Sequence, residues 1–436
     1  MRTLTFLAFW GVALASVLSA APPGQSAGPL TVAGTIDAVL AQYPSLEAAR
    51  AAVDAAGGRT RQTSAARGTE VSVGGVYGYM SLRPYVAIGP TSLYETVQDS
   101  YGASVTVRQL LTDFGRTDAV VELARSGEIT ARDALNLTRQ QLGYQAIQDF
   151  YGTVLLRESV VVARDDIRSL EEALRISQRK FSGGTATKFD LLTTQVRLAA
   201  AGNRLADATA ALERQESGLR QLLGRPPGSS LDLAGDFGPD APPPDLAEAI
   251  AEGMANRPEM SLARDSERTA RLKLKATERT DRPVLAAQAS GGVSNGYLPE
   301  MYDKKGYVTA GVSLSVPILT GGRTAGEQAE ARADLRAAEA SGGEAARGVT
   351  TDVENAFSDL KAARARLASA DTLVAEAREA LGLAKSRYSN GVATDFEMLD
   401  AQSDEHAAEL SRLQASYDCT MARQAVARAA GRPPAP

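Results

Sequence analysis

The chain has 436 residues, with 47 Lys and Arg against 52 Asp and Glu for a net charge of -5, and contains only 9 Phe, 1 Trp, 1 Cys and 1 His. This acidic balance excludes a nucleic-acid surface, which needs clustered Lys and Arg to meet phosphates. The lone Cys419 excludes an internal disulfide, and one His without CxxC or HExxH leaves no metal-ligand set and no cofactor site.

Met1 and Arg2 precede an apolar run from Leu4 to Leu18 and the small residues Ser19, Ala20 and Ala21, the layout of a secretory signal over 1–21. Beyond it, Arg, Asp, Glu or Gln interrupts every apolar stretch before about 18 residues, so a transmembrane helix is not expected and any membrane crossing falls to strands. Thr35 to Arg67 reads as a helix. Period-two alternation in Val71, Val73, Tyr77 and Tyr79, and in Val105 and Val107 against Ser104, Thr106 and Arg108, predicts strands at about 69–80 and 101–112. From Arg116 to Phe181 the pattern is helical, enough for about 98 Å at 1.5 Å per residue. A break at Ser182 to Thr185 turns the chain into a return helix from Thr187 to Leu223. There Leu191, Leu198, Leu205, Leu212 and Leu219 recur every seventh residue, a supercoiling pattern. Pro, Gly and Asp between Gly224 and Asp245 mark a connector.

The chain then repeats itself. A shift of 207 residues places Gly115, Arg116 and Thr117 on Gly322, Arg323 and Thr324, Phe181 to Gln195 on Tyr388 to Gln402, and Gly224 to Pro227 on Gly431 to Pro434. The expected organisation is a first unit at 22–227, a linker at 228–245 and a second unit at 246–436, with strands at about 284–297 and 306–318. Its long helix carries a seam of Leu367, Ala370, Val374, Ala377, Leu381, Ala384 and Tyr388. Strands can span hydrocarbon only in a closed barrel, and about eight is the smallest number that closes. Four strands per chain therefore require several subunits, and three would give twelve strands continuous with a tube of helices about 100 Å long.

The residues resemble the TolC-type outer-membrane efflux proteins over essentially the whole mature chain. The resemblance rests on Asn256-Arg257-Pro258, on Ser315 to Arg323 where strand meets helix, and on Arg387 to Gly391 followed by Phe396 to Gln402, in that order and duplicated. It implies a mainly α fold with a membrane β part: a homotrimer whose four strands per subunit form a 12-stranded barrel in outer-membrane lipid, above a periplasmic tunnel of coiled-coil helices. It also implies a passive duct for small molecules or secreted polypeptides, served by a periplasmic adaptor and an inner-membrane RND or ABC transporter.

Residue by residue, Gly115, Pro317, Gly321 and Gly322 are the expected strand-to-helix joints, since Pro317 lacks the N–H a ladder needs and glycine permits the turn. The first unit has Asp113-Phe114-Gly115 there, without the proline. Gly184 with Thr185 and Gly391 with Val392 mark the helix reversals. By resemblance these tips close the tunnel and dock the adaptor, Phe181 and Tyr388 act as the gate, and Asp190, Glu397 and Asp400 ring the entrance. Glu397 and Asp400 are three apart and share a face, so a trimer would gather six of these carboxylates in a cation-favouring constriction. Acids there also complement the helix dipole, and an aromatic there also ends a seam. The family's arginine just past the tip glycine is replaced by Ala186 and Ala393, so a salt-bridge lock on that residue is not expected.

His406 falls on the seam of Phe396, Leu399, Ser403, Leu410, Leu413 and Tyr417 and reads as a packing residue, as does Cys419. A hydrolytic triad would have to use that one His, and neither a Gly-x-Ser-x-Gly nor a Walker loop occurs, so an enzyme is not expected. The competing reading is a structural or adhesive periplasmic coiled-coil protein, which shares the heptads but has no use for paired amphipathic strands beside glycine joints.

Overall fold

Proline divides the first helical region. The computed structural model describes residues 29–238, 244–298 and 300–434, so the expected signal at 1–21 lies outside the described residues. The single helix expected from Thr35 to Arg67 is instead α1 (Val32–Gln42), α2 (Pro44–Ser64) and a 3-10 turn at Ala65–Arg67. Tyr43 is extended at ψ 130° because the ring of a following proline disfavours helical backbone, while Pro44 itself fits the first helical position.

Strands β1 (Thr69–Tyr79), β2 (Tyr85–Ile88), β3 (Thr91–Tyr94) and β4 (Asp99–Thr112) follow. Next come α3 (Arg116–Ser182) and α4 (Lys188–Leu222). After the connector, α5 (Leu246–Asn256) and α6 (Pro258–Thr277) are again split before a proline. They lead to β5 (Val284–Ser294), β6 (Lys305–Ser315), α7 (Arg323–Ser389) and α8 (Asp395–Ala429).

Beside the strands read from alternation, β2 and β3 form a separate hairpin that the alternation did not announce. Its signal was Gly89-Pro90: Ile88 pairs with Thr91, and Gly89 has the positive φ of 62° that a two-residue hairpin loop demands. The other four strands make one antiparallel sheet in the order β1-β4-β5-β6. Its register sorts the side chains. Val73, Val105, Gly291 and Val308 align across the sheet, as do Val71, Val107, Ala289 and Ala310, while Ser72, Thr106, Ser290 and Thr309 align on the opposite face. One face is therefore apolar and the other polar, and the apolar one is left uncovered by the described residues, with Val73 80% and Val308 84% exposed.

The β5–β6 ladder ends at Ser315, two residues before Pro317. Gly321 and Gly322 at φ 62° and 87° then turn the chain into α7. At the corresponding joint Phe114 takes φ 54°, a costly backbone for a bulky side chain. Asp113 holds it there by accepting hydrogen bonds from the N–H groups of Gly115 (3.1 Å) and Thr117 (2.7 Å).

Helices α3 and α7 have 67 residues each, about 100 Å, and α4 and α8 have 35 each, about 53 Å. No helix among the described residues is long and apolar enough to cross a membrane. Helix packing rests on three local cores. The largest joins Leu30, Ile36 and Val39, Ile147, Phe150 and Tyr151 of α3, Leu219 and Leu222 of α4, and Leu231 of the connector. Part of the connector is strapped to it, with the N–H of Leu30 donating to Asp232 at 2.7 Å. The second core, of Ala249, Val353, Ala356, Leu360 and Val426, includes the buried Cys419.

Phe150 is fully buried and meets Tyr151 edge-on at 5.5 Å between ring centroids. Phe150→Ala should therefore cost about 3–5 kcal/mol. Urea unfolding of the detergent-purified protein checks this; a loss below about 1 kcal/mol would mean the core does not hold this end together.

Candidate functional site

The two reversals are built alike because each helix runs out at a glycine in left-handed backbone. Gly184 and Gly391 both have φ 72°. The Lys180 carbonyl accepts from the N–H groups of Thr185 (2.9 Å) and Ala186 (3.3 Å), and the Arg387 carbonyl accepts from Val392 (2.9 Å) and Ala393 (3.3 Å). These are the bonds that close a left-handed helix cap, and a β-carbon at either glycine would strain them.

Each return helix is started by threonine. The Thr187 hydroxyl accepts from the Asp190 N–H at 3.2 Å while the Asp190 carboxylate accepts from the Thr187 N–H at 2.9 Å, a closed capping box. Thr394 does the same for the N–H of Glu397 at 3.2 Å. The Thr187 hydroxyl and N–H hold the Asp190 carboxyl below its ordinary value.

The expected ring acids do not stand alone within the chain. Asp190 is engaged in its box, Glu397 lies 3.6 Å from Arg387, and Asp400 lies 3.5 Å from Arg197, whose guanidinium also covers the Phe396 ring at 5.0 Å. Both pairs are solvent-exposed and so individually weak. The two expected gate aromatics differ. Phe181 is 42% exposed, whereas Tyr388 is half-buried against the third core, of Leu170, Ala173, Ala201, Met398 and Leu399.

Two residues that sequence reasoning passed over join Tyr388. The Lys180 ammonium sits 3.7 Å from the Tyr388 ring centroid and 3.5 Å from the Asp395 carboxylate. Burial first, and the Asp395 carboxylate second, push the Tyr388 phenol up, so it stays a neutral donor. Lys180, Tyr388 and Asp395 thus tie the end of α3 to the end of α7 and the start of α8. A hint was present in the repeat, which places Lys180 on Arg387: each copy carries a cation at that point.

Residues 35–225 and 249–432 match the family described as "Outer membrane efflux protein". The chain belongs to this family. Among similar proteins, the outer membrane efflux protein BepC of Brucella suis is 24% identical over 75% of this chain and 71% of its own length. The alkaline protease secretion protein AprF of Pseudomonas aeruginosa is 25% identical over 73% of this chain and 67% of its own length. Among solved structures, the outer membrane protein VceC of Vibrio cholerae superposes with TM-score 0.75 at 18% identity, covering 93% of this chain and 97% of that one. The Campylobacter jejuni CmeC outer membrane channel gives TM-score 0.78 at 14% identity, covering 93% and 87%.

Thr187→Ala should loosen the start of α4 by about 0.5–2 kcal/mol. Because the folded Asp190 value is depressed, its contribution stands in full above the ordinary 3.8 and is lost as pH falls through the lower folded value. Hydrogen exchange at the Asp190 and Leu191 amides checks both statements. Protection equal in wild type and variant, or rising on acidification through that range, would show that the box does not hold the helix.

Proposed function

We propose that three copies of this outer-membrane efflux protein assemble into a duct that leads from the periplasm to the exterior and passes its cargo without catalysing a reaction. The observation that carries this reading is the sheet register, which gives an apolar face, a polar face and two open edges. Among the described residues β1 pairs only with β4 and β6 only with β5, and backbone groups in hydrocarbon must all be paired. Joining β6 of one copy to β1 of the next satisfies those edges, puts the valines toward lipid and lines the lumen with Ser72, Thr106, Ser290 and Thr309.

In this reading the sequence units at 22–227 and 246–436 are two structural repeats flanking a linker at 228–245, and α3, α4, α7 and α8 form the periplasmic tunnel. The tips at Gly184, Thr185, Gly391 and Val392 meet a periplasmic adaptor, and an RND or ABC transporter in the inner membrane supplies the energy and selects the cargo. The relatives' names include both efflux and secretion proteins, which fits a duct indifferent to what is delivered. A coiled-coil scaffold has no comparable use for a two-faced sheet.

The entrance acids Asp190, Glu397 and Asp400 act as a ring whose charge is partly offset by Arg387 and Arg197. Phe181 lies beside the entrance and Tyr388 holds it, through Lys180 and Asp395 in place of the arginine that Ala186 and Ala393 replace.

Envelope fractionation should place heat-modifiable trimers in the outer membrane; a soluble periplasmic monomer would end the proposal. In planar bilayers, Glu397→Ala with Asp400→Ala should lower cation preference, and unchanged selectivity would dismiss the ring. Asp395→Ala should raise resting conductance several-fold, whereas wild-type conductance would show that Tyr388 is held by packing alone.

A further inference from the structure

The one histidine lies among carboxylates that its seam position did not announce. The His406 side chain is 12% exposed, and both ring nitrogens are buried without a hydrogen-bond partner among the described residues. Its Nδ1 stands 3.5 Å from Glu405 Oε2, and its Nε2 stands 3.7 Å from Asp166 Oδ1 on α3. Glu409, one turn further along α8, completes a set in which one donor atom from each of Glu405, His406 and Glu409 lies within 4.8 Å of the others.

The surrounding charges are distributed in a way that leaves room for a cation. Arg378 of α7 engages the Oε1 atoms of Glu409 at 2.8 Å and Glu405 at 3.6 Å, leaving Glu405 Oε2 facing the imidazole. Asp166 is balanced by Arg204 at 2.8 Å. Two neighbouring glutamates thus share one guanidinium beside a ring whose nitrogens have no hydrogen-bond partner among the described residues.

We propose that Glu405, His406 and Glu409 form a binding site for a divalent transition cation of the zinc type. One imidazole nitrogen and two carboxylate oxygens are a three-ligand set that zinc accepts with a fourth position left for water, whereas magnesium and calcium prefer oxygen alone. Asp166 stands 3.7 Å from the other ring nitrogen, on the side where metal-bound histidines commonly have a carboxylate, so a small shift on loading would bring it within hydrogen-bond distance. Bound donors sit at about 2.0–2.2 Å from zinc, so loading draws the two glutamate side chains inward and away from Arg378. Arg378 is thus a resident competitor for the site. The ligands sit on α8, the orienting carboxylate on α3 and the competitor on α7, so occupancy bears on how the two helical hairpins pack. The site is independent of whether the chain conducts.

Because His406 is the sole histidine of the chain, metal titration reads this one imidazole. Isothermal titration of Zn²⁺ into the full chain purified in detergent should show one saturable site per chain. Co²⁺ added in its place should develop the visible absorption of a four-coordinate ion. His406→Ala and Glu409→Gln should each weaken Zn²⁺ binding about tenfold or more, with far-UV circular dichroism confirming that the helices persist. Arg378→Gln should tighten it. No saturable binding, or an affinity unchanged in both ligand variants, overturns the proposal. Should His406→Ala fail to fold, the opposed shifts of Glu409→Gln and Arg378→Gln decide, and the absence of both overturns it equally.

Discussion

The backbone pairing of β4 with β5 is the interaction on which the rest of the molecule depends. It joins residues 102–112 to residues 285–294 and so brings together two halves of the chain far apart in sequence. The joints that follow, at Gly115 and Gly322, start helices of equal length. Equal helices leaving one sheet end at the same level about 100 Å away. That is why Lys180 of the first half meets Tyr388 and Asp395 of the second, and why a single misregistered strand would separate the tips.

Packing along those helices is thin, as the composition demands. The buried positions are mostly alanine, valine and leucine in stripes, with buried aromatics Phe150, Tyr144 and Tyr151 where α1, α3, α4 and the connector converge. The recurring Gly-Arg-Pro-Pro pieces have a structural reason at this level. Gly224 and Gly431 end α4 and α8 at φ 63° and 72°, and a β-carbon on Gly431 would strike the backbone of Arg257 at 2.8 Å. Arg257, from the Asn-Arg-Pro piece, is buried and bound to Asp352 of α7 at 2.8 Å. Motifs far apart in the sequence are thus two sides of one helix end.

Charge at the tips is more nearly neutral within the chain than the acids alone implied. Asp190 is occupied by Thr187, and Lys180, Arg197 and Arg387 stand beside Asp395, Asp400 and Glu397. The two halves share the cap geometry and differ in these partners, so the mechanical reversal is duplicated while the electrostatics are not.

Local signals were enough to read strands at β1, β4, β5 and β6, the long helices and the glycine tips, because each rests on periodicity or on a backbone angle that one residue type tolerates. The same signals misread the helix across Tyr43 and Pro44 and passed over the Gly89-Pro90 hairpin, where a single turn residue outweighs the surrounding pattern. What only the tertiary structure decided were the contacts between residues with no sequence relation: Lys180 with Asp395, Arg257 with Asp352, and His406 with Asp166. The sequence by itself determined which segments are helix, strand and reversal. Their meeting depends on strand register and on equal helix length, and those become distances between side chains only once the two halves are paired.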